Sequence, residues 1–174
     1  MKNLKKTIFA ICGLVAFAAN SNAQSTATAT ASATVVTPIA ITKSSDLNFG
    51  NLSVQAATGG TVVVPASGAR TSTSGVTLPA AAGTVSAAAF DVTGTAAYTY
   101  AITLPASVTL NHSAGAGTGT MSAASFVTNQ PLNIGTLNGT GTQSFAVGAT
   151  LTVAAGQAAG TYTSGNFNVT VNYN

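Results

Sequence analysis

Residues 160–174 read Gly-Thr-Tyr-Thr-Ser-Gly-Asn-Phe-Asn-Val-Thr-Val-Asn-Tyr-Asn. From Asn166 onward the alternation is unbroken. Phe167, Val169, Val171 and Tyr173 fall on one face, and Asn166, Asn168, Thr170, Asn172 and Asn174 on the other. Side chains of an extended chain point to opposite faces in turn, so the pattern specifies a half-buried β-strand with a pinned register. β-Branched and aromatic residues suit a pleated inner face, and a period of two does not fit a helix.

Outward from this stretch the same signal recurs. Residues 149–153 alternate again, residues 142–147 carry Phe145 and Val147, residues 132–137 carry Ile134, and residues 120–128 carry Phe126. Residues 97–104 place Tyr98, Tyr100, Ile102 and Leu104 on one face until Pro105 ends the run. Residues 84–92 point Phe90 and Val92 inward and Asp91 outward. Residues 60–65 and 75–79 read as short strands stopped by proline. Residues 35–41 read as a strand interrupted by Pro38, hence at an edge or bulge, and residues 43–46 as a turn. Alanine-rich patches such as 80–82 lack caps and a period of 3.6, so no helix is expected. Many short strands punctuated by Gly and Pro predict an all-β fold, a single antiparallel β-sandwich. Phe49, Phe90, Tyr100, Phe126, Phe145 and Phe167 are its expected large core members.

The N-terminus has a different character. Lys2, Lys5 and Lys6 precede an apolar run over residues 8–19, and Ser21-Asn22-Ala23 sets small residues where a signal peptidase reads. The expected organisation is a signal peptide, 1–23, cleaved after Ala23; a low-complexity Ala/Thr leader, 24–34; and a β-sandwich domain, 35–174. The apolar run is too short for an ordinary transmembrane helix, and no later segment offers one. Bulky Ile11 before Cys12 makes that cysteine a poor lipid acceptor. The expected destination is therefore outside the cytoplasm: extracellular, cell surface or periplasm. In the leader, Thr or Ser alternates with Ala, a strand period whose apolar face buries too little to hold a strand alone. Two readings stay open, an edge strand near Val35 or a segment that adds to another sheet.

Charge follows the same boundary. The formal charge of +3 comes from Lys2, Lys5 and Lys6; beyond residue 23, Lys43 and Arg70 balance Asp46 and Asp91. Without a basic patch, no nucleic-acid partner is expected. A surface of Thr, Ser, Asn, Gln, Gly and Ala also lacks charge repulsion against self-association. Cys12 is the sole cysteine, so no disulfide is expected. A domain of about 150 residues buries nearly 70% of its extended-chain surface and is stable without one.

Few groups can do chemistry. Beyond residue 23 the chain has no Cys and no Glu, two Asp and one His. His112 with a serine and Asp46 or Asp91 makes only a nominal triad, since no nucleophile-elbow motif supports it. Nothing in the spacing brings Asp46 to Asp91 as a hydrolase pair, and the set is poor for a metal. Gly115-Ala-Gly117-Thr-Gly119 lacks the lysine and following helix of a phosphate loop. The expectation is a non-enzymatic protein without cofactor or metal.

Leu47-Asn-Phe-Gly-Asn-Leu52, Ala89-Phe-Asp-Val-Thr-Gly94, Ile102-Thr-Leu-Pro105, Val147-Gly-Ala-Thr-Leu151 and residues 160–173 together resemble the bacterial secreted family called domain of unknown function 4402. The resemblance implies a secreted single-domain bacterial protein. More distantly, Leu47-x-Phe49-Gly50 and the final strand with Tyr173 next to last are similar to spore coat protein U and chaperone–usher pilin subunits, which have immunoglobulin-like sandwiches. That likeness implies a final strand that pairs with a periplasmic chaperone and an N-terminal extension that completes a neighbour's sheet. Phe167, Val169, Val171 and Tyr173 would be the partner-strand interface. Two differences stand: no disulfide, and alanine in the leader where donor strands carry larger residues. The expected role is structural or adhesive, with self-association; the alternative is a pilus-like subunit assembled by donor-strand complementation.

Overall fold

In a computed structural model, which describes residues 24–115 and 119–174, the alternating stretches become thirteen strands. They are β1 (Ala40–Ser45), β2 (Ser53–Val54), β3 (Gly60–Val64), β4 (Thr71–Ser72), β5 (Val76–Thr77), β6 (Ala88–Thr93) and β7 (Thr99–Thr103). Then come β8 (Ser107–His112), β9 (Thr120–Thr128), β10 (Ile134–Thr136), β11 (Thr142–Val153), β12 (Tyr162–Ser164) and β13 (Thr170–Tyr173). A 3-10 turn, Pro131–Asn133, precedes β10. The fold is all-β and antiparallel. Two units divide the chain, Met1–Thr34 and Val35–Asn174. The predicted signal peptide, 1–23, lies outside the described residues, as do residues 116–118 of the glycine-rich loop. Residues 24–34 form no strand and are exposed throughout.

The larger sheet runs β1-β6-β11-β9-β8-β12, with β3 also on β11 and β4 on β3. The smaller runs β10-β7-β13, and β2 pairs with β5. β11 is the common strand. Along one edge it pairs first with β6 (Phe145↔Phe90) and then with β3 (Leu151↔Val62), and its other edge pairs with β9. The changeover falls at Gly148, where a Cβ would run into the backbone of Val64, Pro65 and Ala66. Phe145, Val147, Ala149, Leu151 and Val153 all face inward and are at most 2% exposed.

That inner face serves two apolar clusters. One, under the smaller sheet, joins Phe90, Val92, Tyr100, Ile102, Leu137, Phe145, Val147 and Val171, with Phe90 and Phe145 stacked at 5.5 Å. The other joins Phe49, Val62, Val64, Val76, Met121, Leu151 and Val153. Leu47 and Phe126 pack against both.

Several boundaries differ from expectation. The first strand starts at Ala40 rather than Val35, because Pro38 has no N–H for a ladder and the Thr37 carbonyl is taken by Tyr173. Residues 43–45, expected to turn, continue that strand through a register shift against β6. Ile134 points outward, and Gly135 and Leu137 are the buried members there. The final strand, expected from Asn166 onward, is shortened to β13, with residues 165–169 in no strand and β12 formed just before them. Its partner β7 ends at Thr103, and Pro105 two residues on offers no N–H, so pairing with β13 stops at Thr170↔Thr103.

Candidate functional site

The sandwich is not closed everywhere. A groove of about 1260 Å³ opens beside the second cluster. Its floor is core: Phe49, Phe90, Met121, Phe126 and Leu151 line it, and the chain from Gln157 to Val169 borders it.

One rim is the Leu47–Leu52 stretch. Gly50 takes φ +68, and a Cβ there would meet Ala82, Val85 and Arg70. The Asn48 side chain accepts from the Gly50 N–H at 2.9 Å, and the Asn48 backbone bridges Ser86. Arg70 donates to the carbonyls of Phe49 and Asn51, holding both ends of the bend. The rim carries one ion pair, Lys43 with Asp46, both exposed.

The opposite rim is fastened through His112. Its Nδ1 accepts from the Ala114 N–H at 3.0 Å, so Nε2 carries the proton and donates to the Ala159 carbonyl at 3.0 Å. The imidazole meets the Tyr162 ring edge-on at 4.8 Å, and a Cβ on Gly160 would overlap it. The Tyr162 hydroxyl donates to the Ala158 carbonyl at 2.8 Å and the Gln157 amide donates to that hydroxyl at 2.9 Å. Both ring nitrogens of His112 thus serve backbone, and the nominal triad is not assembled: Asp46 pairs with Lys43, and Asp91 accepts from Ser144 on β11. Among the described residues no three His, Cys, Asp or Glu side chains cluster.

Of the four residues expected at a partner-strand interface, Phe167 and Val169 line the groove. Phe167 lies 5.3 Å from Phe126, ring to ring. Val171 is buried under the smaller sheet. The Tyr173 hydroxyl is engaged within the chain, donating to the Thr37 carbonyl at 2.8 Å and accepting from the Thr95 N–H at 2.7 Å. Sequence reasoning missed Met121, Leu110 and Tyr162, which also line the groove. The signal was a phase change: Met121 and Ala123 alternate, whereas Phe126 is out of step. A bulge explains it, with Ser125 at φ 51 and the β9–β11 register shifting opposite Gly148 and Thr150.

Residues 39–173 match the family model described as Domain of unknown function (DUF4402). The chain belongs to that family. In this DUF4402 chain the Leu47–Leu52 stretch that carried the resemblance builds a groove rim and Phe167 and Val169 the other. No curated protein matches it. No helix among the described residues is long and apolar enough to cross a membrane.

Proposed function

We propose that this DUF4402 chain is an exported, non-enzymatic structural or adhesive protein of the bacterial surface, periplasm or medium, which works by taking up another polypeptide. The observation that carries this reading is the groove: core side chains line an opening bordered by the Leu47–Leu52 bend and by β12 with the chain on either side of it. β12, which lines the groove, ends the larger sheet with one unpaired edge. An extended segment laid along such an edge gains main-chain hydrogen bonds, and its alternate side chains cover the floor. The titratable groups near the groove, His112, Lys43 and Asp46, are engaged in holding its rims.

A second reading, a pilus-like subunit assembled by donor-strand complementation with a chaperone–usher partner, is favoured by residues 165–169, which border the groove without a strand partner. Fractionation of cells followed by non-denaturing sizing tests both. The expected outcome is an exported protein recovered in assemblies or with a bound partner. Recovery in the cytoplasm, or as a monomer whose behaviour is unchanged by Val169→Lys in the groove, overturns the proposal. Chaperone and usher genes beside this gene would select the second reading.

A further inference from the structure

Away from the groove, we propose that Asn138 is a self-modification site: when its turn opens, the chain converts this amide to a carboxylate, which the refolded turn then holds. Asn138-Gly139 is the sole Asn-Gly pair in the sequence. Both residues are exposed, in the turn that joins buried Leu137 to β11. Gly139 has no side chain to shield its amide nitrogen, and a Cβ there would meet nothing within 4 Å.

The chemistry needs only water. The Gly139 nitrogen attacks Asn138 Cγ, and the new C–N bond closes a succinimide. The side-chain nitrogen leaves as ammonia, taking the Gly139 amide proton. Water then opens the ring. Cleavage of the Cγ–N bond leaves aspartate, whereas cleavage of the backbone C–N bond leaves isoaspartate, with a methylene added to the main chain.

The folded turn opposes the first step. Asn138 Oδ1 accepts from the Thr140 N–H at 2.9 Å, the Thr140 hydroxyl at 2.7 Å and the Thr142 N–H at 3.0 Å. Asn138 Nδ2 donates to Thr142 Oγ1 at 2.9 Å. The amide is thereby held forward over residues 140–142, and these bonds must break before Cγ can turn back on the Gly139 nitrogen. The same donors suit the product. A carboxylate accepts them more strongly than an amide oxygen does, because it is charged. The Thr142 hydroxyl, which can donate as well as accept, turns its hydrogen to the second oxygen. Isoaspartate does not fit. Its added methylene spoils the spacing of the bonds that close the turn, from the Asn138 N–H to Thr142 and from the Gly141 N–H to Asn138.

Aspartate at this position gives a net negative charge to residues 24–174, whose two acids and two bases otherwise balance. Anion exchange therefore separates the product. The chain is incubated in mildly alkaline buffer, folded or in urea, and followed by anion exchange and peptide mass mapping. The expected result is amide-to-acid conversion at Asn138 ahead of every other asparagine in urea, and much slower conversion in the folded chain. Thr140→Val and Thr142→Val, both at exposed positions, should speed conversion in the folded chain about fivefold per hydrogen bond lost to the amide. Gly139→Ala should suppress it in urea, where folding plays no part. Asn138→Asp should melt at or above the parent temperature, and the isoaspartate form purified from an aged sample should melt below it. Another asparagine leading in urea overturns the site. Equal rates in the folded and unfolded chain overturn the guarding role of the turn, and a destabilised Asn138→Asp overturns the carboxylate seat.

Discussion

The two apolar clusters share β11 but are finished differently. Where the smaller sheet faces β11, Phe145 and Tyr100 are 2% and 0% exposed, because Tyr100 and Ile102 of β7 and Val171 of β13 pack with Phe145 and Leu137 in one cluster. In the other half, only the short β2–β5 pair and irregular chain cover Met121 and Phe49, at 7% and 8%, and the groove opens beside them. The same alternating strand therefore supplies a sealed core along its first half and a site floor along its second. The contrast teaches that the opening does not come from a weak inner face: the inward residues of β11 are as well buried at one end as at the other.

Truncation should expose that contrast most. Phe145→Ala leaves a cavity walled on every side and should cost about 3–5 kcal/mol, whereas Met121→Ala lies where the wall is already open and should cost about 2 kcal/mol. Urea unfolding of the two variants checks it, and equal losses would mean that both halves are equally sealed. Overpacking sharpens the sealed side. A Cβ on Gly135 would run into the Tyr100 ring and the Gln143 side chain, so Gly135→Ala should cost about 1–3 kcal/mol, read in the same unfolding series. Gly115→Ala is its counterpart at a turn where a Cβ meets nothing within 4 Å; its φ of +94 gives a backbone penalty without a clash.

Tyr173→Phe removes two hydrogen bonds, one tying the entering chain at Thr37 to β13 and one from the Thr95 N–H between β6 and β7, a loss of about 1–2 kcal/mol. Faster amide exchange at Thr95 would register it, and unchanged exchange would mean the tie is idle. The smallest effect belongs to pH. Burial raises the Tyr100 phenol above the ordinary tyrosine range, and its hydroxyl donates to Gln143 at 2.8 Å. A raised value in the folded state means stability that is whole below about pH 10, the range of a free phenol, and falls as pH rises past it. Alkaline melting curves should show the decline in the parent chain and less of it in Tyr100→Phe.

Long alternation made the centre of the fold legible. Phe145 to Val153 and Phe90 with Val92 face inward as the sequence indicates, because a strand paired on both edges cannot slip without turning its apolar face to water. Shorter segments were less readable, each for a local reason. The bulge at Ser125 reverses the phase ahead of Phe126. Positive φ at Leu132 and Asn133 turns Leu132 out, 92% exposed, and leaves Ile134 facing solvent. At the final strand the alternation was sound, but pairing depended on β7, and Pro105 in a distant segment ended it. The groove was half legible. Phe167 and Val169 were indicated by their own pattern, whereas the floor is assembled from strands whose juxtaposition no local pattern encodes.

β11 also governs when the fold can form. It is the neighbour that β3, β6 and β9 all require, yet it is made after each of them. Until residue 153 is available, Val62 and Phe90 have no Leu151 or Phe145 to meet, and the ladders that join them close long stretches of chain at an entropic cost. Such topologies fold slowly. A nascent chain that stops short of this strand holds a set of uncovered ladders with little charge to keep them apart, so premature truncation should be more damaging to solubility than loss of either terminus.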